Sequence, residues 1–137
     1  MDPVLRRFVV IGGLGFIVDA GLLALMISAG SGLYAARALS FPVAVTVTWY
    51  FNRIWTFRDG ATDRPGREFA YYLMVQIVAA LANFAVYAAL LRFLFAERAS
   101  MAVPALIAGA GIGLVINFTG SKVIVFVDRK IANPHHA

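Results

Sequence analysis

A single carboxylate interrupts the first long apolar run of the chain. Asp19 is the only charged residue between Phe8 and Ser28, and it lies about 16 Å into that run at the rise of an α-helix. A charge at this depth in a membrane is costly when it faces lipid, so it needs a partner or a polar cavity. Asp19 is therefore a candidate for ligand binding or proton coupling. The structural alternative is an interhelical hydrogen bond to a residue such as Asn83 or Thr48.

Two later segments combine amides, hydroxyls, aromatic rings and a cation. Their polar and cationic members are Thr48, Asn52 and Arg53 in one segment and Asn117, Ser121 and Lys122 in the other. In each segment the two uncharged members stand at positions i and i+4, which places them on one face of a helix. An arginine can hold a phosphate as a bidentate fork and a lysine as a point charge. The same cations can also extend to the membrane interface, and the amides can join helices, so both interpretations stay open.

Two further groups of polar residues lie in or beside apolar runs. Gln76 and Asn83 share one face of the third run, where helix–helix contacts are the favoured interpretation, although Asn83 is also kept as a candidate ligand group. Arg37 begins the second run and is expected among the lipid headgroups, with an outer phosphate as the alternative ligand.

The composition shows which elements must position these residues. Of 137 residues, 61% are hydrophobic and only 14% are charged, against about 25% charged in soluble domains. The apolar residues form four runs near 8–28, 33–55, 69–95 and 101–127, each long enough to cross a bilayer at about 20 residues. Only helices and closed barrels satisfy their backbone in lipid, and barrel-like alternation is absent. The sequence therefore predicts an all-α, multi-pass integral membrane protein with four transmembrane helices in one domain, residues 1–137.

The distribution of lysine and arginine predicts how these spans are oriented. Of the 12 such residues, those on one predicted side are Arg6, Arg7, Arg53, Arg58, Arg64, Arg67, Lys122, Arg129 and Lys130, and those on the other are Arg37, Arg92 and Arg98. The positive-inside rule then places both termini, the polar loop 58–67 and the tail 128–137 in the cytoplasm. The net charge of +5 arises at the ends of apolar runs, which favours anionic lipids over nucleic acid as partners.

Several kinds of chemistry are not supported by the sequence. The chain has no cysteine, which excludes disulfides and thiolate sites. The glycines at 12–15 and 109–113 lie inside apolar runs with no preceding strand, so they do not indicate a dinucleotide site. His135 and His136 stand in the tail without further ligands. We therefore predict no catalytic residues, no metal site and no cofactor.

The ends of the second and fourth runs resemble each other at an offset of 69 positions. The aligned pairs are Asn52 with Ser121, Arg53 with Lys122, Phe57 with Phe126 and Asp59 with Asp128. Interfacial preferences for aromatic and cationic residues explain part of this pattern, but not the polar pairs. We predict two tandem helical hairpins, related as a parallel repeat because each would cross the membrane twice.

Together these features resemble the GtrA-like family. The resemblance rests on an Asn-Phe-x-x-Asn-Arg-x-Trp-x-Phe-like segment that closes the second and fourth helices, on the Arg/Phe start and on the Asp in the first run, and it covers about Arg6 to Arg129. The departures from the family pattern are Thr48 for Asn, Trp49 for Phe, Ser121 for Asn, Lys122 for Arg and Ile124 for Trp. The two halves have therefore diverged, and equal roles are not expected.

The resemblance implies a non-enzymatic inner-membrane protein of cell-surface polysaccharide synthesis that moves polyprenyl-phosphate-linked monosaccharides across the cytoplasmic membrane. On this interpretation Arg53 and Lys122 hold the phosphate. The groups expected to line a polar groove for the sugar are Asp19, Thr48, Asn52, Asn83, Asn117 and Ser121. The expected partners are the sugar lipid and membrane lipids. Because four helices offer little interior, a homo-oligomer is also expected, with a dimer favoured.

Two other functions compete with translocation. The chain could be a membrane adaptor that recruits a glycosyltransferase through its basic loop 58–67. It could also be a proton-coupled exporter like the small multidrug-resistance transporters, which likewise have a carboxylate in the first helix. The closing segments with aromatic, amide and cationic residues favour an anionic lipid over a drug cation.

Overall fold

The computed structural model describes residues 1–94, 96 and 99–127. Four α-helices follow in order: α1 (Pro3–Ser28), α2 (Leu33–Phe51), α3 (Pro65–Ala89) and α4 (Ala102–Gly120). Three continue as π-helical turns, Asn52–Thr56 after α2, Leu90–Leu94 after α3 and Ser121–Val125 after α4. Short 3-10 turns cover Arg58–Gly60 and Ala99–Met101. No strand occurs among the described residues, and the prediction of an all-α membrane protein is confirmed.

Local sequence signals account for both ends of α1. A carboxylate oxygen of Asp2 accepts a hydrogen bond from the N–H of Val4 at 2.8 Å, which satisfies one of the free donors at the helix start. Pro3 occupies the first helical position, where its missing N–H costs nothing. After the last turn, Gly30 adopts a positive φ of 94°, a conformation that glycine reaches without steric penalty. The chain can therefore reverse direction and begin α2.

The number of membrane spans differs from the sequence prediction. Three helical segments are long and apolar enough to cross a membrane, namely Pro3–Ser28, Pro65–Leu94 and Ala102–Val125. Helix α2 is not apolar enough, because Arg37, Pro42 and several hydroxyl side chains interrupt its apolar residues. The prediction of four transmembrane helices is therefore wrong, and so is the description of the chain as two membrane-crossing hairpins. The assignment of both termini to the cytoplasm depended on an even number of crossings and loses its basis.

The chain divides into two compact units, Met1–Phe69 with the stretch from Phe126 onward, and Ala70–Val125. In the first unit α1 packs against α2, and the buried residues include Phe8, Ile11, Ala36, Ala44 and Val45. The helices approach closely at Gly15, where an added Cβ would lie 2.2 Å from the Cγ2 atom of Thr48. A small residue at such a crossing lets two backbones come together.

In the second unit α3 packs against α4 through two glycines. An added Cβ at Gly109 would lie 2.6 Å from the carbonyl oxygen of Asn83, and one at Gly113 would lie 3.2 Å from that of Ala79. The G-x-x-x-G spacing therefore serves close helix packing, as the sequence suggests. That residues 1–137 act as one membrane domain stays a prediction. Arg98 and the tail 128–137, with Arg129, Lys130 and both histidines, lie outside the described residues.

The 69-residue offset seen in the sequence reappears in the helix bounds. Helix α2 runs from residue 33 to 51 and α4 from residue 102 to 120, and each is 19 residues long. The π turns that follow, Asn52–Thr56 and Ser121–Val125, contain five residues each and begin at the aligned positions. Because π turns are rare and are frequently found at functional sites, this shared ending directs attention to the residues around both turns.

Candidate functional site

The end of α2 and the start of α3 meet at a buried carboxylate. The side chain of Glu68 is 0% exposed. Its Oε2 atom accepts hydrogen bonds from the Nη1 atom of Arg53 at 2.6 Å and from the N–H of Thr62 at 2.7 Å, and its Oε1 atom accepts one from the indole N–H of Trp49 at 3.0 Å. Arg53 also donates from Nη2 to the carbonyl oxygen of Thr62 at 2.8 Å. We call these four residues the Glu68 network.

The Glu68 network fixes the polar loop to the first π turn. Thr62 lies within the predicted loop 58–67, and both its N–H and its carbonyl group are bound by the ion pair. A buried ion pair is held only when its remaining hydrogen-bonding groups are satisfied, and here the indole and the backbone of Thr62 satisfy them. The Trp49 ring also packs edge-on against Phe69, with ring centroids 5.3 Å apart. The network is therefore both neutral in charge and enclosed by aromatic surface.

Arg53, one of the two predicted phosphate ligands, is thus paired with a carboxylate in this structure. Its side chain is 23% exposed, and its guanidinium carbon lies 5.9 Å from the centroid of the Trp49 ring. Part of its side chain therefore still reaches the surface. Arg53 is held in a fixed orientation, with its charge compensated.

Several polar residues of α2 and of the π turn that follows it are buried. Thr48 and Asn52 are buried, as their spacing on one helix face allows. The Thr48 hydroxyl donates to the carbonyl oxygen of Val45 at 3.0 Å. Ser40 and Thr56 are also buried, and their hydroxyls have no hydrogen-bond partner among the described residues. Buried hydroxyls without partners are uncommon and favour a role in binding a polar group.

Asp19 forms an ion pair with Arg37, whose Nη1 atom donates to its Oδ2 atom. The guanidinium of Arg37 also lies 5.7 Å from the centroid of the Phe41 ring. The Oδ1 atom of Asp19 is buried and has no partner in the part of the chain that the structure describes. The two residues that the sequence analysis treated separately are therefore one pair. Asp19 retains one unused acceptor beside it.

In the second unit two predicted groove residues, Asn117 and Ser121, form a row of hydrogen bonds with Gln76. The side-chain amide of Asn117 donates to the Oε1 atom of Gln76 at 3.0 Å, and the hydroxyl of Ser121 donates to the Oδ1 atom of Asn117 at 3.4 Å. Gln76 belongs to α3 and Asn117 to α4, so the row crosses between helices. Asn83 does not join it, because its side chain packs against Gly109 and Gly113.

Lys122 follows directly after this row and differs from Arg53. It is exposed, and its Nζ atom lies 5.9 Å from the centroid of the Phe118 ring. It makes no ion pair within residues 1–94, 96 and 99–127. The two aligned cations therefore have different surroundings, since one is bound to a buried carboxylate and the other is available to an external anion.

Sequence reasoning missed the residues that complete the first site. Glu68 does not stand out in the sequence, and Trp49 does so only as a departure from the family pattern. The available signal was a lone acid in the first helical turn after a loop rich in arginine, a position where a carboxylate is expected to find partners. Among the described residues no group of three or more His, Cys, Asp or Glu side chains could hold a metal ion.

A comparison with protein families shows to which family the chain belongs. The model of the GtrA/DPMS transmembrane domain matches residues 7–126. The chain belongs to this family. It is also 30% identical over 125 residues to the uncharacterized membrane protein YngA of Bacillus subtilis (strain 168), a match that covers 90% of this chain and 80% of the relative.

Membership of the GtrA/DPMS family fixes the coarse description of the protein. It is a multi-pass membrane protein of a family linked to polysaccharide and glycan synthesis, and a location in the inner membrane is consistent with the family. The family context suggests interactions with lipid-linked sugars and membrane lipids. Both π turns and both aligned cations lie inside the matched residues. The positions that distinguish the two units are therefore part of the family domain.

Proposed function

We propose that the protein moves a polyprenyl-phosphate-linked monosaccharide across the cytoplasmic membrane. The physical problem is to carry a hydrated, charged headgroup through a region where each unsatisfied polar group is costly. A translocator must therefore offer hydrogen bonds for the sugar and a cation for the phosphate, while the prenyl chain stays in lipid. Membership of the GtrA/DPMS family supports this class of substrate.

The observation that carries the proposal is the row of hydrogen bonds that ends beside an exposed cation. Gln76, Asn117 and Ser121 present amide and hydroxyl groups that both donate and accept. Such groups can exchange their mutual bonds for bonds to sugar hydroxyls at little net cost. Lys122 follows within the same π turn and supplies a positive charge for the phosphate.

The first unit contributes polar groups of a different kind. The free Oδ1 acceptor of Asp19 and the buried hydroxyl of Ser40 are suited to sugar hydroxyls, and Thr48 and Asn52 lie on the same helix as Ser40. Arg53 is the second proposed phosphate ligand, and its partial exposure is the feature that supports it. In the second unit the corresponding proposed ligands are Asn83, Asn117, Ser121 and Lys122.

Transport of lipid in liposomes tests the proposal. Purified protein is reconstituted with a labelled polyprenyl-phosphate sugar, and a membrane-impermeant reagent reports how fast the sugar reaches the outer leaflet. We expect protein-dependent movement. The Lys122→Gln variant should be slower by roughly tenfold, since a hydrogen bond to a charged group contributes about 1.5–3 kcal/mol. The matched control is Val123→Ala, which changes a neighbouring exposed side chain.

The same experiment separates the competing functions. An adaptor would move no lipid in liposomes that lack other proteins, and it would instead retain a glycosyltransferase on the membrane. An exporter of cationic drugs would move a cationic dye and leave the sugar lipid in place. Equal rates in protein-containing and protein-free liposomes would overturn the proposal. The proposal includes a homodimer, which native mass measurement of the reconstituted protein tests separately.

A further inference from the structure

We propose that Glu68 is a positioning residue that controls Arg53, and that the phosphate of the sugar lipid displaces Glu68 from Arg53 and thereby releases the loop 58–67. The inference rests on the proposed function, because it names the lipid phosphate as the competing anion. It concerns how Arg53 is held before the lipid binds and how the loop 58–67 responds when the lipid binds.

The geometry separates the two sides of the ion pair. Glu68 is sealed from the surface, whereas Arg53 is 23% exposed. An anion can therefore approach Arg53 but cannot approach Glu68. A lipid phosphate offers the same bidentate geometry to a guanidinium as a carboxylate does. Exchange of one anion for another at Arg53 keeps the arginine paired. Glu68 keeps the donors of Trp49 and Thr62 but loses its counter-ion, a cost that the contacts of the phosphate must offset.

The loop is coupled to this exchange through Thr62. Glu68 binds the N–H of Thr62 at 2.7 Å and Arg53 binds its carbonyl oxygen at 2.8 Å. Only the bond to the carbonyl oxygen needs Arg53 to face Glu68. If Arg53 turns towards a phosphate, the carbonyl of Thr62 loses its partner and the loop is held by the single bond from its N–H to Glu68. The hydrogen bonds between Thr62 and Arg64, both at 3.3 Å, are too long to hold the loop by themselves.

A purely structural role for Glu68 makes a different prediction. If Glu68 is only structural, it stabilises the loop equally with and without an anionic lipid, and its removal only lowers the stability of the protein. If Glu68 controls Arg53, loop opening depends on phosphate, and this dependence is lost when the charge of Glu68 is removed. The second unit has no such arrangement among its described residues, since Lys122 at the aligned position makes no ion pair.

Limited proteolysis with trypsin measures loop opening, because Arg58 and Arg67 are exposed cleavage sites within the loop. The bond after Arg64 is not a site, since Pro65 follows it. The rate of such cleavage follows the population of the open form. The wild-type protein in nanodiscs is treated with a polyprenyl monophosphate, and the corresponding polyprenol serves as the control lipid. We expect roughly tenfold faster cleavage with the phosphate lipid only, which corresponds to about 1.4 kcal/mol in the opening equilibrium.

Variants test the role of the charge. Glu68→Gln keeps the shape and an acceptor but removes the charge, so the loop should be cleaved quickly without lipid and should no longer respond to phosphate. Asp59→Asn, which removes an exposed acidic charge from the same loop, should behave like the wild type. Trp49→Phe removes one donor to Glu68 and leaves the charge. It should raise basal cleavage less and keep the response, which preserves the test if Glu68→Gln fails to fold.

The outcomes distinguish this inference from the proposed function. A phosphate lipid that leaves wild-type cleavage unchanged, or a Glu68→Gln protein that responds as the wild type does, would overturn the control by Glu68 even if liposome transport is intact. Absence of transport by a wild-type protein whose loop does respond would instead overturn translocation. Cleavage that rises equally with polyprenol would show that the prenyl chain, and not the phosphate, opens the loop, and would also overturn the inference.

Discussion

The π turns after α2 and α4 occupy aligned positions in the chain, but their cations have different surroundings. Arg53 is bonded to the buried Glu68, while Lys122 is exposed beside the Phe118 ring. The helices that lead to the turns have the same length. The two helix endings therefore share their backbone form and differ in the electrostatics of one position.

A second difference concerns how closely the helices approach. In the first unit Gly15 faces a side chain, the methyl group of Thr48, whereas in the second unit Gly109 faces the backbone carbonyl of Asn83. A side chain can rotate away from an intruding atom, but the backbone of a packed helix cannot. The first unit is therefore more tolerant at its crossing point, and the second is more rigid.

The largest expected effect tests the difference between the two cations. Arg53→Ala leaves Glu68 buried and without its positive partner, which should lower the free energy of unfolding by about 3–5 kcal/mol. Lys122→Ala removes an exposed cation and should change it by less than about 0.5 kcal/mol. Thermal or denaturant unfolding of both variants in detergent micelles measures this. Equal losses in the two variants would contradict the comparison.

The glycine crossings give the next largest effect. Gly109→Ala should cost about 1–3 kcal/mol, because the added Cβ would meet the Asn83 carbonyl oxygen, while the control Gly111→Ala meets nothing within 4 Å. In the first unit the Gly15→Ala change should be corrected by Thr48→Ser, which removes the methyl group in its way. Unfolding measurements on the single and double variants decide this. A Gly15→Ala protein that is not rescued would show that the two crossings are equally rigid.

The sequence predicted those features that depend on local composition and spacing. Long apolar runs identified three of the spans, and the alignment of Asn52 with Ser121 and of Arg53 with Lys122 anticipated two equal helix endings. The error over α2 arose because its run was judged by length, with Arg37 treated as a headgroup anchor. The structure shows that Arg37 serves as the partner of Asp19 and that hydroxyls along α2 reduce its apolarity.

The candidate site was less predictable because its contacts join distant parts of the chain. Glu68 reaches Arg53 only because the intervening loop turns back at the 3-10 turn Arg58–Gly60, and no local pattern encodes that path. The pairing of Asp19 with Arg37 likewise depends on how α1 and α2 cross. The roles proposed for these residues stay predictions until transport and unfolding are measured.

A smaller effect is expected when the ion pair of Asp19 and Arg37 is broken. Asp19→Asn leaves Arg37 without its carboxylate partner, but the Arg37 side chain is 54% exposed and can extend towards the headgroups, so the free energy of unfolding should fall by less than in Arg53→Ala. Liposome transport should nevertheless decrease, because the variant lacks the carboxylate acceptor proposed for the sugar. A loss of stability as large as that of Arg53→Ala would mean that this pair is a structural element like the Glu68 network.

The smallest effect concerns the row of hydrogen bonds in the second unit. A double-mutant cycle with Gln76→Leu and Asn117→Leu should give a coupling of about 0.6 kcal/mol, the average for interhelical hydrogen bonds in membranes. So small a coupling would change transport little if the two amides only join α3 to α4. If Asn117 instead binds sugar hydroxyls, Asn117→Leu should slow transport far more than its loss of stability explains. The effect of Gln76→Leu on transport should follow from its loss of stability alone. Measuring both quantities for both variants separates a ligand from a structural amide.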